Sequence, residues 1–287
     1  MPVPREMPLA TSLLLVGAAL FFGGGAGDGS LWWLGGGALL ALLVLAATTG
    51  LPGGWVSLVP LAALAGWLAL SIRWSSLPDR SWNYADRTLV YLLFAALGLW
   101  VAGRTRQLAL GLAVLLGAVV VWSLAGKVLP PLYDYGWPGV TRLRSPVGLW
   151  NQLALLAAFA LPLALWRRRV SGALLAYGWI VALLLTYSRG GVAVTVLVLV
   201  AWFALSSERI ESAATLVAAA VPAAVVAGVA FALPGVTSDF QSSSIRWHDG
   251  LIFGAVLVAG AGVAAVLSRA PRPRDTPALR RALLAAG

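Results

Sequence analysis

One arginine stands between two apolar stretches in the run Leu183-Leu184-Leu185-Thr186-Tyr187-Ser188-Arg189-Gly190-Gly191-Val192. A guanidinium keeps its proton in such surroundings, and an arginine at the centre of a membrane helix is unfavourable by roughly 2.5–3.5 kcal/mol on insertion scales. Arg189 therefore belongs at a membrane face or beside an anion. The Gly190-Gly191 pair can break the chain into two helices and leave Arg189 at the start of the second. A helix start offers free N–H groups and a positive dipole end, which favour phosphate. The arginine adds a two-pronged donor that fits the same oxygens. The other reading is an interfacial arginine that snorkels to headgroups and holds no ligand.

Three further segments carry polar groups. Arg73 to Arg87 mixes arginines, carboxylates and aromatics, a surface suited to sugars or to an interfacial aromatic belt. The loop from Lys127 to Pro146 ends Thr141-Arg142-Leu143-Arg144-Ser145-Pro146, and a helix with Asn151 and Gln152 in its first turns follows at once. Arg142 and Arg144 read as a second anion-contacting edge opposite Arg189, or as part of a polar cap that faces headgroups. The third loop, Pro234 to Asp249, brings Arg246 and the single histidine, His248, next to Asp249. An Asp–His pair can activate a hydroxyl as general base. Neighbours in sequence do not face each other on a helix, so the pairing is expected to need a turn. A lone histidine that is merely exposed is the plainer alternative.

These residues need a scaffold, and composition names its kind. The chain of 287 residues is 60% hydrophobic and 10% charged, where soluble domains carry roughly 25% charged residues. Crossing a bilayer takes ~20 apolar residues. Candidate spans lie at 9–24, 31–49, 55–72, 88–103, 107–126, 147–166, 171–187, 190–205, 213–233 and 250–268. The expected fold is an all-α polytopic membrane bundle of about ten transmembrane helices, and the first span reads as retained rather than as a cleaved signal. With the N-terminus inside, Arg5, Arg104, Arg106, Arg167, Arg168, Arg169, Arg209 and the five arginines after 268 fall on inside segments. The eight other basic residues fall outside, so the positive-inside rule favours both termini in the cytoplasm (N-in/C-in). The whole chain, 1–287, reads as a single membrane domain, and 269–287 as a cytoplasmic basic tail. In that setting the net charge of +10 follows from topology and not from nucleic acid. The absence of cysteine removes disulfides and thiolate metal sites, and one histidine with few carboxylates makes a zinc site unexpected. No metal and no cofactor is expected. Arginines on one face without metal ligands fit a polyprenyl-diphosphate sugar better than a nucleotide, which brings a glycine-rich phosphate loop and Mg²⁺ ligands.

Two motifs carry a resemblance. Gly148-Leu149-Trp150-Asn151-Gln152-Leu153-Ala154 looks like the Gly…Asn-x-x-Ala helix start of the O-antigen ligase and O-antigen polymerase family of bacterial envelope proteins. Leu185-Thr186-Tyr187-Ser188-Arg189-Gly190-Gly191 looks like the family's Thr-x-Ser-Arg-Gly segment. Their order and separation also match, and the resemblance covers a core of about 70–268, best over 70–210. It implies a metal-independent glycosyltransferase of the bacterial inner membrane, working on its outer side in cell-envelope polysaccharide synthesis. The enzyme moves a glycan from an undecaprenyl-diphosphate-linked donor to a lipid or saccharide acceptor. The resemblance carries over Arg189 as the contact to the donor diphosphate; with Arg246 and His248 from the local reading of the third loop, the expected catalytic set is Arg189, Arg246 and His248. It also carries over Asn151; with Ser188 of the second motif and with Arg142 and Arg144 from the loop reading, the expected substrate-binding set is Arg142, Arg144, Asn151 and Ser188. Membrane lipid, the glycan donor and the acceptor are the expected partners. The segment before His248 is shorter than the family's long outer loop, and a truncated or inactive relative is an expected variant of the same reading. A ten-helix metabolite transporter is the alternative from another class. It should show an internal repeat with broken helices at matching positions, and residues 1–130 offer no counterpart to the break at Arg189.

Overall fold

The computed structural model describes residues 6–25, 27–132 and 141–270. Among these, helices make up almost everything and there is no β-strand. The helices are α1 (Met7–Phe21), α2 (Asp28–Thr49), α3 (Val59–Ser71), α4 (Pro78–Val101), α5 (Thr105–Val128), α6 (Trp150–Arg167), α7 (Arg169–Leu185), α8 (Arg189–Leu205), α9 (Arg209–Phe231), the short α10 (Pro234–Thr237) and α11 (Ser243–Leu267). Short 3₁₀ turns extend several ends. Each of the ten apolar segments in the sequence falls on a helix. Five helical stretches are long and apolar enough to cross a membrane: Gly29–Thr49, Trp55–Trp74, Pro78–Val128, Arg209–Phe231 and Ser243–Leu267. The chain is therefore a multi-pass membrane protein by length and composition. Helices α1, α7 and α8 are apolar but shorter.

Helix ends follow local chemistry. Proline at the first position opens α4, where its missing N–H costs nothing and Asp79 complements the dipole. This starts α4 ten residues before the expected span and turns most of the Arg73–Arg87 loop into helix. Ser242 caps α11 by accepting the Ile245 N–H at 3.4 Å. That cap draws Arg246, His248 and Asp249 out of the expected loop and into the first turns of α11. Arg168 and Arg169 take positive φ between α6 and α7, where Gly172 leaves room for the Ala164 carbonyl.

The chain divides into two compact units, Met1–Leu115 and Leu116–Gly287. In the first, Leu31 and Leu34 of α2 pack on Val90 of α4, and Ala38 and Leu45 pack on Leu97. The Trp100 indole N–H donates to the Thr49 hydroxyl at 2.9 Å and its ring meets Trp55 edge-on. In the second unit α7 is the central helix, packed against α6, α9 and α11, while α8 packs mainly on α6. Trp179, Ala173, Ala176 and Ala182 of α7 are fully enclosed. Glycine lets α11 come close to its neighbours. A Cβ at Gly250 would lie 2.7 Å from the Val128 carbonyl, and one at Gly260 would lie 2.6 Å from the Tyr177 hydroxyl. Of the expected basic tail, Arg269 and Ala270 are described, and 271–287 lie outside the described residues.

Candidate functional site

Every site residue picked from the sequence lies at one end of the second unit. The C-terminal end of α5, the segment 141–149, the start of α6, the α7–α8 turn and the stretch from α10 into α11 are tied together there by specific bonds.

The α7–α8 turn forms by a different device from the one expected. The break falls at Thr186-Tyr187-Ser188, with Tyr187 in the left-handed region at φ 54°, and both glycines lie inside the first turn of α8. A tyrosine in this region is held by its surroundings. Its ring packs on Phe231 at 5.7 Å, and its hydroxyl lies 3.4 Å from the Thr237 carbonyl. Ser188 caps α8: its hydroxyl accepts the Gly191 N–H at 3.0 Å and donates to Asn151 Oδ1 at 2.9 Å. Gly191 is there for contact, because a Cβ at that position would land on the Ala154 Cβ of α6. Arg189 is the first residue of α8 and is exposed. Among the described residues its guanidinium has no hydrogen-bond or ion-pair partner.

From Thr141 to Leu143 the chain alternates inward and outward, and a turn follows over 145–147, closed by the Gly148 N–H on the Arg144 carbonyl at 2.9 Å. Thr141, Leu143 and Val147 are buried, while Arg142 is exposed and Arg144 is half-buried. Three anchors hold this register. The Leu143 N–H donates to the Leu185 carbonyl at 3.0 Å, and the Ser123 hydroxyl donates to the Ser145 carbonyl at 2.6 Å. Thr141 is fixed by Asp239, which accepts its N–H at 2.7 Å and lies 2.8 Å from its hydroxyl. Those two bonds hold the Asp239 carboxyl below the usual carboxylate range, aided by Arg142 and Lys127. Arg142 stacks over the Trp150 ring, 5.2 Å from its centroid. Part of the expected Lys127–Pro146 loop, residues 133–140, lies outside the described residues.

His248 and Asp249 pair without a turn between them. His248 Nδ1 lies 3.0 Å from Asp249 Oδ1 inside α11. The pair forms within the helix, where Asp249 is also held in place by a second bond. Its Oδ2 accepts the Gly235 N–H at 2.7 Å. The imidazole side chain is 75% exposed and the carboxylate 9%, so the pair has a buried acceptor and an open ring. With Nδ1 turned to the carboxylate, Nε2 is the nitrogen left to take a proton.

Sequence reasoning used Lys127 only as a charge to count. The structure buries it at 4% exposure, with Nζ donating to the carbonyls of Thr141 and, at 2.9 Å, Val236. Its depth at the end of an apolar helix was the available signal, since a buried ammonium must find acceptors. Thr141, Asp239 and Gly235 carried no motif. No group of three or more His, Cys, Asp or Glu residues able to hold a metal occurs among the described residues.

The opposite end of the same unit is built from ion pairs. Arg168 meets both Glu208 and Glu211 there, the latter at 2.7 Å. Arg209 donates to the carbonyls of Ala204 at 2.9 Å and Ser206 at 3.3 Å. At that end Arg168 is matched by carboxylates and Arg209 by helix carbonyls, Arg167 reaches the Ser171 hydroxyl at 3.4 Å, and exposed Arg169, like Arg189, has no partner among the described residues.

The chain matches no family model, no curated protein and no solved structure.

Proposed function

We propose that this chain is an O-antigen ligase- or polymerase-like membrane protein that binds an undecaprenyl-diphosphate-linked glycan at the Arg189 end of its second unit. The reading includes ten spans with both termini in the cytoplasm of a bacterium, which puts this end on the outer side of the inner membrane. The observation that carries it is Arg189 itself: an exposed guanidinium at a capped helix start, without a partner among the described residues, at an end that also gathers Arg142, Arg144 and Arg246. The positive-inside rule would not collect such charge on an outer face, and a diphosphate would.

In this reading the arginines and the α8 N-terminus offset the charge that grows on the leaving diphosphate. An acceptor hydroxyl attacks the anomeric carbon of the glycan, and the carbon–oxygen bond to the diphosphate breaks. The electron pair leaves with undecaprenyl diphosphate. The hydroxyl proton passes to Nε2 of His248, and Asp249 stabilises the resulting imidazolium. Asn151 and Ser188 hold the α8 start against α6, which fixes where Arg189 stands.

The test is donor binding in nanodiscs with Arg189→Lys. Lysine keeps the charge and loses the fork, so binding of undecaprenyl diphosphate should weaken by about tenfold, the value of one charge-assisted hydrogen bond. Equal affinity in the lysine variant would leave Arg189 as a simple anchor.

A further inference from the structure

We infer that Lys127 is a positioning residue for this site: its buried ammonium sets where the Arg142–Arg144 edge stands by clamping that edge to α10. The inference rests on the diphosphate reading above for its purpose, and on geometry alone for its mechanism.

An ammonium this deeply enclosed needs acceptors, and among those it finds are two main-chain carbonyls from distant parts of the chain. One belongs to Thr141, directly before Arg142. The other belongs to Val236 in α10, 109 residues away. Lys127 therefore joins two segments that no helix connects. The same two segments are joined again on the outer side, where Asp239 holds the Thr141 N–H and hydroxyl. The Thr141 hydroxyl also lies 3.0 Å from the Thr237 carbonyl. Thr141 is thus gripped from within by a lysine and from without by an aspartate. Because burial alternates over Thr141, Arg142 and Leu143, fixing Thr141 inward turns Arg142 outward and sets where the half-buried Arg144 follows. Lys127 in turn is held by the close approach of α11, since glycine at 250 and 254 lets that helix rest on Val128. Arg246 stands one turn before Gly250 on the same helix.

The experiment uses the full chain in nanodiscs and compares wild type with Lys127→Met, which keeps the stem and removes the donors. Amide hydrogen exchange is read first. The variant should exchange about tenfold faster over 141–147 while α6 and α7 keep their protection. Binding of undecaprenyl diphosphate is read second, in a double-mutant cycle. Lys127→Met should weaken binding, and should weaken it no further once Arg142→Ala is present, while its effect adds to that of Arg189→Ala. Unchanged exchange over 141–147, or full additivity with Arg142→Ala, would overturn the assignment. Wild type that binds no diphosphate, with the exchange result as expected, would remove the functional reading and support the clamp. If Lys127→Met loses protection throughout, Asp239→Asn tests the same clamp from its exposed side. It should loosen 141–147, and an unaltered segment would count against the clamp.

Discussion

Replacing the two glycines after Arg189 one at a time separates their roles. A Cβ at Gly190 meets nothing within 4 Å, whereas one at Gly191 collides with the Ala154 Cβ and comes within 3.1 Å of the Ser188 hydroxyl. Both positions lie in the first turn of α8. Gly190→Ala should therefore stabilise the protein by ~0.5–1 kcal/mol, the usual gain of alanine over glycine in a helix. Gly191→Ala receives the same gain but must push α8 away from α6, and overpacking of this kind costs ~1–3 kcal/mol. The move also strains the Ser188 cap, a bond worth ~1 kcal/mol, and so shifts Arg189. The alanine gain is common to both variants and cancels, so Gly191→Ala should lie ~1–4 kcal/mol below Gly190→Ala. Equilibrium unfolding in mixed micelles measures that gap, and donor binding in nanodiscs measures its consequence. Gly190→Ala should bind like wild type and Gly191→Ala more weakly. Equal stability of the two variants would refute the account of how α6 and α8 meet.

Other expectations follow from the same bonds. Ser188→Ala removes both the α8 cap and the link to Asn151, and should destabilise by ~1 kcal/mol with weaker donor binding, while Ser188→Thr should recover part of each. Asp239 has a lowered pKa in the folded protein, so its contribution is present above the ordinary carboxylate value and is lost as pH falls through the folded one. Protection of 141–147 should accordingly hold steady from neutral pH down to ~5 and decline below ~4, and Asp239→Asn should abolish that decline. Cysteines placed at 168 and 240 should label from opposite sides of the membrane, with 240 reached from outside. Labelling of both from one side would remove the proposed topology.

The helices were legible because apolar runs of membrane length leave few alternatives. The position of Arg189 at a helix start was legible too, although for the wrong reason. The glycines looked like a break, yet Tyr187 supplies the turn and Gly191 supplies the close contact. Both facts depend on Ala154 and Phe231, which are distant in sequence. The His248–Asp249 pair was named, and its geometry was missed, because the bond that steadies Asp249 comes from Gly235 and no local pattern announces it. Lys127 shows the limit most plainly. The Thr141 and Val236 acceptors are carbonyls, which every residue owns, so no residue type could mark them in advance. The division at Leu115 was equally hidden, since it falls inside the continuous helix α5.

The most direct test of the central claim is a transfer assay with the purified protein, an undecaprenyl-diphosphate-linked oligosaccharide and a saccharide acceptor, with Arg189→Ala alongside. The account predicts that wild type binds the donor and transfers its glycan, and that the variant loses both. Donor binding and transfer that survive in Arg189→Ala would contradict it.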